Sequence, residues 1–272
     1  MRISVIVPLY NGKRYIDSIL KMLIKNLNYD SSGRLELEVI FINDQPEEVI
    51  NELYYVRKYA SVKRLTLHIV ENKVNRGIHY SRVRGLQMAN GKWIHFLDQD
   101  DVISNNYYLS QLQHLQKGDV IVGNGYSELE QGRRVLYKYS FMHETVKYLF
   151  FYLFFSCRIL SPGQCLIRKK AIPHKWKKDI ITQNGADDLY LWILMLLNHC
   201  KFKINRECIY LHKYTKVNFS LNIHKMKKSD EEVSKYVEDD LPHIYKWIMK
   251  KRFDSKYKKG KFVSFIEGLN KI

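Results

Sequence analysis

The sequence predicts an α/β fold with a mostly parallel central sheet flanked by helices, extended at its C-terminal end by a helical segment. Three observations carry this expectation. Apolar, β-branched runs alternate with segments of helical periodicity along residues 3–97, the pattern of βαβ units with parallel strands. The runs are apolar almost without interruption, as strands covered on both faces are. Three of them stop at Pro8-Leu9-Tyr10, Asn43-Asp44 and Asp98-Gln99-Asp100-Asp101. Ligands of such sheets bind beyond the carboxyl ends of the strands, so these three stretches belong on one rim.

Ile3 to Pro8 is a strand stopped by Pro8, which has no N–H for the ladder. Tyr15, Ile16, Ile19, Leu20, Leu23, Ile24 and Leu27 recur at helical spacing. Leu37 to Ile42 is the second strand. Pro46-Glu47-Glu48 is then expected to open a helix, with Pro in its first turn and acids against its positive end. A third strand at Leu65–Val70, a helix from Ile78 to Ala89 and a fourth strand at Trp93–Leu97 follow. Ser104 is expected to cap a helix through Leu115, with strands after it at Asp119–Gly123 and Arg133–Tyr139. His143 to Phe155 reads as an aromatic-rich helix that could be core, line an acceptor or rest on lipid, and core is favoured. Gln164–Arg168 and Cys208–His212 are the last strands.

Residues 1–222 form the expected catalytic domain and 223–272 a basic helical subdomain. In the latter Lys227, Lys228, Lys246, Lys250, Lys251, Arg252, Lys256, Lys258, Lys259 and Lys261 gather around aromatic residues. A solvated helical face and a contact with lipid headgroups or an anionic acceptor both account for that run. Across the chain 45 basic against 28 acidic residues leave a net charge of +17, which calls for an anionic partner. No nucleic-acid-binding motif appears, so nucleic acid is not the expected one. Cys157, Cys165, Cys200 and Cys208 show neither a close pair nor metal-type spacing, the usage of buried reduced thiols in a cytosolic protein. The longest apolar run, Tyr148–Phe155, falls far short of the ~20 residues that span a bilayer. Met1-Arg2 leads directly into a strand rather than a secretory signal. The expected location is the cytoplasm or, peripherally, the inner face of the cell membrane.

Two stretches carry chemistry. Asp98, Asp100 and Asp101 end a buried strand, where unpaired anions lose hydration that nothing local restores. Mn²⁺ or Mg²⁺, which favour oxygen ligands and keep coordination positions open for a diphosphate, would relieve them. An acidic surface turn capping the next helix is the competing reading. The second stretch, Asn184-Gly185-Ala186-Asp187-Asp188, sets two carboxylates at a helix start, which a doubly acidic cap would also explain. No Gly-rich phosphate loop is present, so metal and cations would have to hold phosphate.

Asn75-Arg76-Gly77, Ser81-Arg82, Gly85, Ala89, Gly91, Trp93-Ile94 and Phe96 to Asp101, with the opening Val5 to Asn11, resemble the hallmark of family 2 glycosyltransferases. That family has the GT-A fold, a Rossmann-like, mostly parallel sheet. Ser81, Val83 and Trp93 depart from its usual residues, as does Gln45-Pro46 where Gly-Ser is usual. The resemblance implies that Pro8, Tyr10 and Asp44 flank a nucleotide base, with Asn75, Arg82 and Gln99 on the same nucleotide-sugar side. It implies that Asp98 reaches the ribose, Asp100 ligates the metal and His212 is a further metal ligand. Gly163 and Gln164 would form the acceptor-side turn, and Asp188 would be the general base. Asp187 would cap the helix or touch the acceptor. Each role has a plainer rival: a helix cap for Asp44, a helix-surface ion pair for Arg82, a packed or surface imidazole for His212.

The implied activity is an inverting, metal-dependent transfer from a nucleotide sugar, UDP-linked by resemblance, to a saccharide or lipid-linked acceptor in surface polysaccharide synthesis. A sugar nucleotidyltransferase is the first alternative, but it would need a Gly-rich, basic loop in place of Leu9-Tyr10-Asn11-Gly12. A basic nucleic-acid-binding protein is the second, and it leaves the clustered aspartates without a role.

Overall fold

The structure, a computed structural model, describes residues 1–116, 118–155, 157–213, 215 and 223–258, without the side chains at 223 and 252–258. In chain order the elements are β1 (Arg2–Leu9), α1 (Ile16–Tyr29), β2 (Glu36–Asn43), α2 (Glu52–Lys58), β3 (Leu65–Glu71), α3 (Ile78–Met88) and β4 (Trp93–Phe96). Then come β5 (Val102–Ile103), α4 (Tyr107–Leu112), β6 (Val120–Leu129), β7 (Gly132–Val135), α5 (Ser140–Glu144), α6 (Leu149–Phe154), β8 (Cys165–Arg168), α7 (His174–Lys178), α8 (Asp187–Leu197), β9 (Phe202–His212), α9 (Ile223–Val237) and α10 (His243–Lys258).

The strands join one sheet in the order β3-β2-β1-β4-β8-β6-β9-β5, with β7 on β6. β3, β2, β1 and β4 run parallel, as does β9 along β6; β8 runs antiparallel to both β4 and β6. The strand order reverses at β1, with β2 and β3 on one side and β4 on the other, the place where a parallel α/β sheet opens a crevice. The two faces of β1 explain its unbroken apolar sequence. Ile3, Val5, Val7 and Leu9 pack under α1 with Ile19, Leu20 and Leu23, whereas Ile6 packs under α3 with Val83 and Leu86. Gly85 permits that second contact, since a Cβ there would lie 2.4 Å from Ile6 Cγ2.

Several elements differ from expectation for identifiable reasons. Pro46–Glu48 is a turn, because the Glu48 carboxylate accepts from the Gly12 and Lys13 amides at 2.9 and 3.0 Å. α2 starts only at Glu52, capped by Asn51. Ser104 does not cap α4; β5 draws residues 102–103 into the sheet beside β9, and the Ser104 hydroxyl turns to Asn106 Oδ1. β7 stops at Val135 because the Asn124 side chain takes over the Tyr137 N–H and C=O. The stretch 143–155 is not one buried helix. Extended backbone at Tyr148 separates α6 from a short 3-10 turn after α5. Tyr152 and Leu153 are core, whereas Tyr148, Phe150 and Phe154 are 56%, 40% and 42% exposed.

The C-terminal helices share the main core: Val233, Val237, Leu241, Ile248 and Met249 cluster with Tyr152, Leu153 and the buried side chains of α8. Glu232 on α9 accepts from the Thr182 and Gln183 amides, bracing the loop that leads into α8. Of the expected basic run, Lys259 and Lys261 lie outside the described residues, as do the side chains of Arg252, Lys256 and Lys258. The four cysteines form no disulfide; Cys165 is buried, Cys157 and Cys200 are half-buried and Cys208 is exposed.

Candidate active site

The rim gathers the predicted stretches at the β1–β4 crevice. The Gln99 amide mimics a strand partner for Tyr10, accepting from its N–H at 3.0 Å and donating to its C=O at 3.1 Å. This clamps the loop after β1 to the turn after β4 and leaves the Tyr10 ring 51% exposed beside half-buried Pro8. Asp44 lies at the end of β2, buried. Its carboxylate accepts from Asn72 Nδ2 (2.7 Å), Arg76 N (2.8 Å) and Gly77 N (2.7 Å). It therefore shapes the loop entering α3, and Asn75 sits exposed at the crest of that loop. Gly77 has φ +84°, and a Cβ there would lie 2.6 Å from Asn184 Oδ1. Asn184 in turn accepts from Ile78 N at 3.0 Å, so the loop before α8 caps α3.

Arg82 links the two acidic stretches. On α3 and almost fully buried, it donates through Nη1 to Asp187 Oδ2 at 2.6 Å and through Nη2 to Asp98 Oδ1 at 2.5 Å. The rival reading of Arg82 as a helix-surface pair gives way to a buried bridge; the two carboxylates outweigh the effect of burial and hold the guanidinium charged. Its Nε has no partner among the described residues.

Asp101 is the centre of a second network. Fully buried, it receives Ser161 Oγ at 3.1 Å and the Tyr210 hydroxyl on Oδ2, and His212 Nδ1 at 3.0 Å on Oδ1. Ser161 also contacts Asp98 Oδ2 at 3.2 Å, so one hydroxyl ties both ends of the acidic turn to the turn before β8. Burial works against a charged imidazole at His212, but the Asp101 contact and the charges of Asp98 and Asp100 outweigh it and raise its pKa. Asp100 has no such partners. Burial, then the charges of Asp101 and Asp98, push its carboxyl up to about 6.

At the turn before β8, the Gly163 carbonyl receives His95 Nε2 (3.0 Å) and the Tyr107 hydroxyl (2.9 Å). His95 is fully buried and neutral, its pKa lowered to about 4 by burial. Gln164 is wholly buried and builds that turn: its Oε1 accepts from the Leu160 and Ser161 amides, and its Nε2 donates to Gly123 O. Asp188 opens α8, with Oδ1 receiving Leu189 N at 2.7 Å and Oδ2 the Cys157 thiol at 3.8 Å. The helix dipole would favour its ionised form. Burial, then the neighbouring Asp187, prevail over that and over Arg82, and push its carboxyl up to about 7.

Among the described residues no three His, Cys, Asp or Glu side chains form a metal cage. That suits Mn²⁺ or Mg²⁺ held by one or two carboxylates together with phosphates and water. Asp100, a part-buried carboxylate without a cationic side-chain partner, and His212, whose Nδ1 contact with Asp101 leaves Nε2 for a ligand, fit such an open site. Sequence reasoning gave no part to Ser161 or Tyr210 and read Cys157 only as a reduced thiol. It counted Asp101 with Asp98 and Asp100 among carboxylates for a cation, whereas Ser161, Tyr210 and His212 hold it.

A parallel β3-β2-β1-β4 half joined through β8 to β6 and β9, with an acidic turn beyond β4, is the GT-A architecture. The glycosyl transferase family 2 profile matches residues 4–174, and the chain belongs to that family. An uncharacterized glycosyltransferase of Mycoplasma genitalium, MG060, is 32% identical over 106 residues, 38% of this chain and 34% of that protein. The minor teichoic acid biosynthesis protein GgaB of Bacillus subtilis is 29% identical over 127 residues, 43% of this chain and 13% of that protein. The chain thus spans about a third or less of these curated relatives. S. aureus TarS 1-349 in complex with UDP-GlcNAc superposes with a TM-score of 0.64 at 19% identity, over 96% of this chain and 75% of that one. The mannosyltransferase PcManGT of Pyrobaculum calidifontis, in complex with GDP-Man and Mn²⁺, gives 0.64 at 16% identity, over 93% and 69%. At these identities the likeness is one of fold.

Proposed function

We propose that the chain is an inverting glycosyltransferase that moves a sugar from a UDP-sugar to a saccharide or lipid-linked acceptor, with Asp188 as its general base. The observation that carries this is the pair of acidic turns joined by Arg82: in each, one carboxylate is neutralised and its neighbour is left free to act. Asp188, with its carboxyl pushed up to about 7, can take a proton near neutral pH. As the acceptor oxygen bonds to the anomeric carbon and the bond to the diphosphate breaks, the hydroxyl proton passes to Asp188. One in-line displacement inverts the anomeric centre. Arg82, by fixing Asp98 and Asp187 together, holds the donor turn and the base-bearing helix start at a set separation.

Asp100 and His212 would hold the divalent cation, which when bound neutralises charge on the leaving diphosphate. Pro8 and Tyr10 would flank the base, with Asp44, Asn75 and Gln99 shaping that pocket. The UDP-GlcNAc and GDP-Man complexes of the structural neighbours support a nucleotide-sugar donor. The net charge of +17 and the likeness to a teichoic acid biosynthesis protein support an anionic or lipid-linked surface-polymer acceptor.

The test is thermal stabilisation by a panel of UDP-sugars and UDP, with Mn²⁺ and with EDTA. A matching donor at a hundredfold its Kd should add about 2.7 kcal/mol of stability, most of it lost in EDTA. Asp100→Ala should remove the metal-dependent part. Equal shifts with and without metal would sink the metal role; no shift from any nucleotide diphosphate would sink the donor site.

A further inference from the structure

The face that the glycosyl-transfer reading does not use is the outer side of α6 and α10. α10 packs beside α6, and α6 packs on α8. Their inner residues, Tyr152, Leu153, Ile248 and Met249, belong to the core. Their outer residues are large, apolar and exposed: Tyr148, Phe150 and Phe154 around α6, and Ile244 (61%) and Trp247 (58%) on α10. Phe150 and Phe154 stack on each other with ring centroids 5.3 Å apart, forming a small aromatic plate rather than scattered side chains. Exposed apolar side chains grouped on neighbouring helices, rather than scattered singly, mark a contact site.

The charge around it selects the partner. α10 carries Lys246, Lys250, Lys251, Arg252, Lys256 and Lys258 against the single acid Asp254. Lys251 Nζ lies 5.8 Å from the centre of the Trp247 ring. Aromatic rings interleaved with lysines suit the headgroup region of an anionic bilayer, where the rings sit among the upper acyl chains and the cations meet lipid phosphates. A protein partner would have to bring both an apolar pocket and clustered acids. Among the described residues no helix is long and apolar enough to cross a membrane, so the contact is with its surface.

We propose that the outer faces of α6 and α10 form a docking surface for an anionic lipid bilayer. The placement bears on catalysis, in a part of the inference that rests on the reading of Asp188 as the base. The chain leaving α6 reaches Cys157, whose thiol contacts Asp188 Oδ2, so the docking surface adjoins the acceptor end of the cleft. An acceptor anchored in the same bilayer would present its hydroxyl to Asp188 from that side.

The test uses the full chain with vesicles of phosphatidylcholine alone and of phosphatidylcholine with phosphatidylglycerol. Trp93, Trp176 and Trp192 are buried, so among the four tryptophans Trp247 reports the surface. Its emission should shift to the blue with anionic vesicles, be quenched by lipids brominated in the upper acyl chain, and return as salt is raised. The Phe150→Ser/Phe154→Ser double variant and the Lys250→Glu/Lys251→Glu double variant should each weaken vesicle binding by roughly tenfold or more. Both variants change exposed side chains, and their UDP-dependent thermal shift, which reads the donor site, should match the parent. The donor site and the docking surface can therefore fail separately. A parent chain that does not bind anionic vesicles, or binding unchanged by the Phe substitutions, overturns the proposal. So does a parent dimer that the Phe substitutions dissolve, which would assign the plate to a second copy of the chain.

Discussion

The turn after β4 and the start of α8 solve the same electrostatic problem and stop at different points. Each sets adjacent or near-adjacent aspartates at a part-buried chain end, and each gives one of them to Arg82. Asp98 and Asp187 gain a charged donor at 2.5 and 2.6 Å. Asp100 and Asp188 do not, and their carboxyls are pushed up to about 6 and about 7. The difference lies in what surrounds the free member. Asp100 stands among like charges, with Asp101 and Asp98 adding to its burial, a setting that favours a cation. Asp188 is raised mainly by burial and then by the charge of Asp187, which favour a proton against the Leu189 N–H, which favours the ionised carboxylate. In the proposed reading the aspartates paired with Arg82 position, and Asp100 and Asp188 hold the metal and take the proton.

The comparison breaks most easily at Arg82. Replacing it with Met leaves two carboxylates facing each other without a cation, one of them buried, and should destabilise the chain by about 3–5 kcal/mol. Thermal melting at neutral pH should show a fall of roughly 10 °C. Arg82→Lys supplies one point charge in place of a two-pronged fork and should recover only part of that. If Arg82→Met melts with the parent, the bridge does not hold the two turns together.

Asp187→Asn sharpens the distinction between the paired and the free aspartate of α8. It weakens a charge-assisted contact and should cost about 1.5–3 kcal/mol of stability, while slowing transfer by less than roughly tenfold. A kinetic loss as large as that of Asp188→Asn would merge the two roles.

Asp188→Asn should act in the opposite direction on stability. Its folded-state pKa of about 7 lies above the ordinary carboxylate value of 3.8. Any stability tied to the protonated form is complete below that ordinary value and is lost as pH rises toward 7. Asparagine removes the titration, so at pH values above 7 the variant should melt about 2–4 °C higher than the parent, with the gap closing in acid. A variant that melts lower at every pH would show that the carboxylate is structural.

The smallest effect belongs to Ser161→Ala. It removes a hydroxyl shared by Asp98 and Asp101 and should cost about 1 kcal/mol, seen as a melting shift of a few degrees.

What the sequence made legible follows from the range of the interactions. The strands, α1 and α3, the shared rim and both acidic turns are written in periodicity and in residues a few positions apart. The pairing of those turns is not. Arg82 and Asp187 are 105 positions apart, and Asp101 and Tyr210 are 109 apart, so no local pattern announces either contact. The raised pKa of Asp188 is illegible for a related reason. The helix dipole is visible in sequence, but the burial that overrides it comes from the packing of α6 and the loop after it. The exposure of Phe150 and Phe154 was hidden because helical spacing was read through Tyr148, where the backbone turns extended. The position of Gln164 beside a turn is legible, whereas the partners that lock its amide inside the turn are not.

The most direct test of the account is the pH dependence of sugar transfer by the parent and Asp188→Asn, using the UDP-sugar selected by thermal shift. UDP binding by the variant is checked in the same samples. The parent rate should rise with pH through about 7 and level off as Asp188 loses its proton. The variant should bind UDP as the parent does, transfer roughly 10²–10⁴-fold more slowly, and show no rise near that pH. Near-parent transfer by a variant that still binds UDP would place the base elsewhere and leave Asp188 as a helix cap.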